Sequence, residues 1–287
     1  FRWSIAQEVY LETIPLSFAP DFMAYSGPNN ALYLSYPGGP IHRIGLDADF
    51  DETPFVNSPQ TPLGLATAGP YLFVCDATGA WVSHFTYHPD GTLLSQEEWN
   101  YFSREYIWSA ANNKMYFFRD ATSPNDLIWE DIDANGIIGQ QMDSPFHGTY
   151  SFQHPIRMTH DESMVLIGSG IFFDAQTLDF SDALPNDVDG AASPGGLLVT
   201  SREAGINTEI QLWNPNLALG ESFFLSGEHQ FLLEASDTLV VVTLIDGIPQ
   251  FAKFKVCAEG AGGMALVPEW PVVSVLSLVN AFNECQL

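Results

Sequence analysis

Apolar residues along this chain come in runs of three to six, separated by Gly, Pro, Asn and Asp, with no long stretch of 3.6-residue periodicity. Short runs broken by turn residues predict strands joined by tight turns. One unit recurs: an apolar strand, a polar turn, a second apolar strand, a short link, a third strand, a hairpin turn and a fourth strand. The first hairpin of each unit is the clearest, as in FMAYSGPNNALYLSY, LGLATAGPYLFVCD, YIWSAANNKMYFFRD and FLLEASDTLVVVTL. These hairpins start near Phe22, Leu63, Tyr106, Pro155, Asp189 and Phe231, at intervals of 34 to 49 residues. A second series of turns, DADFDE, YHPDGT, DIDANG, DAQTLD, WNPNLA and CAEGAG, follows in phase and marks the third-to-fourth strand connections.

A four-stranded unit of this length is a β-propeller blade, so the pattern predicts an all-β fold in a single domain over 1–287. Blades are expected near 22–60, 61–104, 105–153, 154–186, 187–227 and 228–270. The apolar runs at the two ends, 271–287 joined with 1–21, add up to one more. The expectation is therefore seven four-stranded blades, one closed by both termini, which would hide two sheet edges. The alternative is six blades plus a C-terminal tail.

Charge narrows the partners. With 35 Asp and Glu against 9 Lys and Arg, the formal net charge is −26, which repels polyanions and excludes nucleic acid as an expected partner. An acidic, lysine-poor surface suits a secreted or cell-surface setting and cation binding. No apolar stretch is long enough to span a bilayer, so membrane insertion is not expected. Cys75, Cys257 and Cys285 are too scattered for a disulfide scaffold or a zinc site, and Cys75, inside YLFVC, reads as a buried strand residue.

The stretch EYIWSAANNKMYFFRDATSPNDLIWEDIDANG, with DSPFHGTY and HPIRMTHDESMVLIGSG, resembles propeller domains carried by large multidomain surface or secreted proteins of marine bacteria. The repeat is more distantly similar to YVTN and quinoprotein-like propellers. The closer likeness covers about residues 61 to 200. It implies an extracellular binding or adhesion module, flanked by other domains of a larger chain, and transfers no catalytic residue.

Three sets of residues carry candidate chemistry. Asp131, Asp133 and Asn135 have the Asp-x-Asp-x-Asn-Gly spacing that surrounds calcium with side-chain oxygens, although Met142 stands where a closing Glu is expected. The same residues also suit a type I′ hairpin. Trp99 and Tyr101, in the polar segment SQEEWNYFSRE, are the aromatic pair expected to be exposed and able to stack on a glycan. Asp21, Glu105 and His154 precede first strands and are expected at one mouth of the central channel, as ligands for a divalent cation. The expected function is a binding module for a glycan, a protein or a cation-bridged partner. The alternative is a metal-assisted lyase or lactonase with its site in the channel.

Overall fold

The computed structural model describes residues 2–47, 49–79, 81–99, 101–119, 123–235, 238–258 and 264–268. Among the described residues its regular secondary structure is strand, apart from one short 3-10 turn at Pro194–Gly196. Blade 1 is built from Phe22–Ser26, Ala31–Ser35, Pro40–Gly45 and Glu52–Asn57, and blade 2 from Pro62–Ala68, Tyr71–Asp76, Val82–Tyr87 and Leu93–Trp99. Blade 3 comprises Ile107–Ser109, Lys114–Phe118, Leu127–Ile132 and Ile138–Asp143. Blade 4 comprises Ile156–Met158, Met164–Ile167, Ile171–Asp174 and Phe180–Ala183. In blade 5 the strands are Gly190–Ala192, Leu198–Ala204, Asn207–Trp213 and Leu219–Ser226. In blade 6 they are Glu228–Ala235, Thr238–Ile245, Ile248–Ala258 and Met264–Pro268.

Within each blade the strands pair antiparallel in chain order, which makes this an all-β, six-bladed β-propeller. The third and fourth strands slip register once in blades 1 to 5, for example between Glu130 and Ile132, and each slip adds local twist to the outer pair.

Six blades, not seven, correct the expected count. Among the described residues the N-terminal apolar runs pair only with each other, Arg2–Ser4 against Val9–Leu11, in a two-stranded sheet. The strands expected from 271–287, and so the closure of a blade by both termini, lie outside the described residues. Adding two end segments into one blade counted strand material without knowing its partner.

Contacts divide the chain into two compact units. The first holds Phe1–Phe152 with Gln176–Asp179, and thus blades 1 to 3; the second holds Gln153–Ala175 and Phe180–Leu287, with blades 4 to 6. Residues 176–179 are the third-to-fourth strand turn of blade 4, and Trp129 Nε1–H donates to Gln176 O at 3.1 Å.

Alternation along a strand explains how each unit is filled. In the second strand of blade 2, Leu72 and Val74 pack with Ala31, Tyr33 and Ile41 of blade 1, while Phe73 and Cys75 pack with Met115, Phe117 and Ile128 of blade 3. Successive side chains point to opposite faces, and both faces are covered, so the strand reads as the unbroken run YLFVC. In the second unit, Val199, Ile210 and Leu225 of blade 5 meet Leu232, Leu239, Val241 and Phe254 of blade 6. Each such side chain contributes about 1.5–3 kcal/mol when fully buried. Cys75 is buried and free, Cys257 stands in the third strand of blade 6, and Cys285 lies outside the described residues. Among the described residues no helix is long and apolar enough to cross a membrane.

Candidate functional site

The first strands of blades 1 and 2 bury their small residues and show their large ones. In Phe22–Ser26, Ala24 and Ser26 are buried while Met23 and Tyr25 are 63% and 58% exposed. In Pro62–Ala68, Ala66 and Ala68 are buried while Leu65 and Thr67 remain partly open. A strand packed for core filling alone would do the reverse, since burying large apolar surface is the favourable term.

These strands and the first strand of blade 3 stand side by side. Thr67 Oγ1–H donates to Tyr25 O at 3.1 Å, joining blade 2 to blade 1. Gly64 makes room for blade 3, because a Cβ there would lie 2.5 Å from Cε2 of Tyr106. A cavity of about 400 Å³ opens on this face, lined by Ala24, Tyr25, Leu65, Thr67, Tyr106 and Trp108, among others. Trp108 rests on the core between blades 2 and 3, and so is held from behind.

The walls of the cavity are fixed by polar contacts deeper in the unit. His84 in blade 2 and Glu130 in blade 3 face each other, Nδ1 to Oε1, at 2.9 Å, and both are buried. The Tyr106 hydroxyl lies 3.3 Å from His84 Nε2 and receives the Ser103 N–H at 3.1 Å. Burial disfavours the imidazolium, but the Glu130 carboxylate and Cys75 outweigh it and raise the His84 pKa to about 10. Thr86 Oγ1–H donates to Gly136 O, and Tyr71 O–H donates to Ala134 O at 2.7 Å, so the blade 3 hairpin is tied down onto blade 2.

The residues singled out from sequence are dispersed. Asp131 pairs with Lys114 Nζ at 3.1 Å, and that ammonium sits 3.8 Å from the Trp129 ring centroid. Asp133 Oδ1 accepts the N–H groups of Asn135 at 2.8 Å and Ile137 at 2.9 Å, which hold its carboxyl below the usual range, the Ile137 bond foremost. The left-handed residue of this hairpin is Gly136, at φ 78°, so the turn is built around one positive φ, where a type I′ turn has two. Trp99 ends the fourth strand of blade 2, opposite Val82. Tyr101 is half-buried, with the Arg119 guanidinium 4.2 Å from its ring centroid. Asp21 is exposed and anchored through its N–H to Ser35 O at 2.9 Å. Glu105 is half-buried and its carbonyl accepts Ser103 Oγ–H at 2.9 Å, while the half-buried His154 packs its carbonyl against Gly168. Among the described residues no three His, Cys, Asp or Glu side chains form a group that could hold a metal ion.

Sequence reading missed Tyr25 and Trp108 as residues that share one face. The signal was available in the alternation Met23, Ala24, Tyr25, Ser26 and Leu63, Gly64, Leu65, Ala66. Large residues on one face of a first strand and small ones on the other mark a face that packing does not fill.

No protein-family model matches the chain, and no curated protein sequence matches it. Solved structures do. The chain is similar to the WD40 β-propeller domain of Doa1, with a TM-score of 0.54 at 14% identity over 80% of this chain and 77% of that one. It is also similar to the β-propeller domain of Myceliophteria thermophila Cps50 (Swd1), with a TM-score of 0.60 at 11% identity over 89% and 88%. These neighbours are β-propeller domains, one of them a WD40 domain, and at these identities the likeness shows the fold.

Proposed function

We propose that this chain is a protein-binding module, and that the first strands of blades 1 to 3 are the surface it offers. The observation that carries this is the cavity of about 400 Å³, in the size range of ligand sites, with Tyr25 58% exposed at its edge. Large apolar side chains kept in water on rigid strands are stabilised by covering them. The propeller fold of the neighbours, one of them a WD40 domain, supports an interaction or scaffold role over a catalytic one. The acid surplus of 35 against 9 suits a salt-rich or extracellular setting, where counterions screen it, and that is the setting we propose.

Placing a photo-crosslinking amino acid at position 25 tests the surface. In an extract of the source cells and their medium, position 25 should give one discrete adduct, and the outer-strand position Thr53 none. Equal labelling at both positions would remove the cavity from the proposal.

A further inference from the structure

Resting on the binding role above, we infer that the cavity takes the guanidinium side chain of an arginine carried by the partner protein. Three observations converge. The chain carries a net charge of −26, so its long-range field selects a cationic partner segment. The cavity has an aromatic ring from blade 1, Tyr25, and another from blade 3, Trp108, with the small residues Ala24, Ala66 and Thr67 among its lining. Among the described residues, none that lines it is charged.

That last feature separates the two basic side chains. An ammonium is compact and strongly hydrated, and it enters an aromatic site readily only when a carboxylate replaces its water. A guanidinium is weakly hydrated on its faces and stacks on rings, leaving its N–H edges to water and carbonyls. Both behaviours occur within this chain. Lys114 lies over Trp129 with the Asp131 carboxylate at 3.1 Å. Arg2 lies 4.3 Å from the Phe50 centroid, with its Nε–H donating to the carbonyl of Glu12 at 2.8 Å. A cavity with rings, an open mouth and no carboxylate among the described residues that line it fits arginine.

The experiment uses the whole chain with its tryptophans labelled by ¹⁵N, and follows the Trp108 indole signal, assigned with Trp108→Phe. Four blocked Gly/Ser heptapeptides are titrated, with arginine, citrulline, lysine or leucine at the centre. Arginine should shift the Trp108 signal with an affinity at least about 10-fold above the other three, and Tyr25→Leu should abolish the difference. Because Tyr25 is 58% exposed, that variant should melt as the parent does. Equal binding of citrulline or lysine overturns the arginine assignment, as does an arginine response that survives Tyr25→Leu. If leucine alone binds, the arginine assignment fails while the binding role stands. If no peptide shifts Trp108 the assignment also fails, and crosslinking at position 25 decides the binding role separately.

Discussion

His84 in the third strand of blade 2 and Glu130 in the third strand of blade 3 meet at 2.9 Å inside the core that joins the two blades, with side-chain exposures of 0% and 1%. The pair is placed by alternation. Val82, His84 and Thr86 turn to the blade 3 side, where Glu130 lies between Ile128 and Ile132. Either charge alone would be stranded in a cluster of Phe73, Cys75, Met115 and Phe117.

Glu130→Gln should therefore destabilise the chain by about 3–5 kcal/mol in urea unfolding. His84→Leu with Glu130→Met should lose much less, because no uncompensated charge remains. The pH dependence has a definite sign. The imidazole titrates at its ordinary 6.5 when unfolded and at about 10 when folded, so its contribution is complete below pH 6.5 and is lost as pH rises through 10. The double variant should show a flatter alkaline limb.

Acid acts elsewhere. Glu52 accepts Tyr36 O–H and Ser17 N–H, each at 2.7 Å, and contacts His42 Nδ1 at 2.5 Å. Burial pushes its pKa up, but these bonds outweigh that and hold it at about 2. Its contribution is present above pH 4.5 and is lost as pH falls through 2. His229, whose Nε2 lies 2.8 Å from Ser201 Oγ, is lowered by burial. Its effect begins sooner, since stability falls as pH drops below 6.5 and the unfolded imidazole takes up a proton first. Glu52→Gln should remove the steepest part of the acid limb and leave the shoulder below pH 6.5, measured by melting temperature against pH.

Gly168 and Gly45 test close packing against open space. A Cβ at Gly168 would lie 1.9 Å from His154 O, whereas one at Gly45 would meet nothing within 4 Å. Gly168→Ala should cost about 1–3 kcal/mol of unfolding free energy, and Gly45→Ala should stay within about 0.5 kcal/mol of the parent.

Much of the fold was legible because fully buried strands announce themselves. The run YLFVC predicts a strand with Cys75 buried in it; the strand forms, covered on both faces, and Cys75 is buried and free. Turn chemistry placed hairpins well, as at Tyr87–Thr92, where Gly91 has φ 90°. Blade count was less legible, because apolar runs such as VYL at Val9–Leu11 say that a strand forms but not which strand it pairs with. The site was the least legible part. Asp131 and Asp133 share a spacing but point to different partners, Lys114 and the N–H groups of the turn, and a linear motif does not reveal such local competition. Tyr25 and Trp108 are 83 positions apart and meet one cavity only through the side-by-side first strands of blades 1 to 3.

Oxidative footprinting of Met23, Tyr25 and Trp108 tests the central claim most directly, with the chain alone and then with an extract of the source cells and their medium. Tyr25 is 58% exposed alone, and Ile206 and Ile248, exposed at hairpin turns of blades 5 and 6, serve as references. The account predicts that Met23, Tyr25 and Trp108 are protected together, by about 5-fold or more if a partner buries them in a standard interface, while Ile206 and Ile248 oxidise as before. Unchanged oxidation at Tyr25 with protection confined to Ile206 and Ile248 would contradict it.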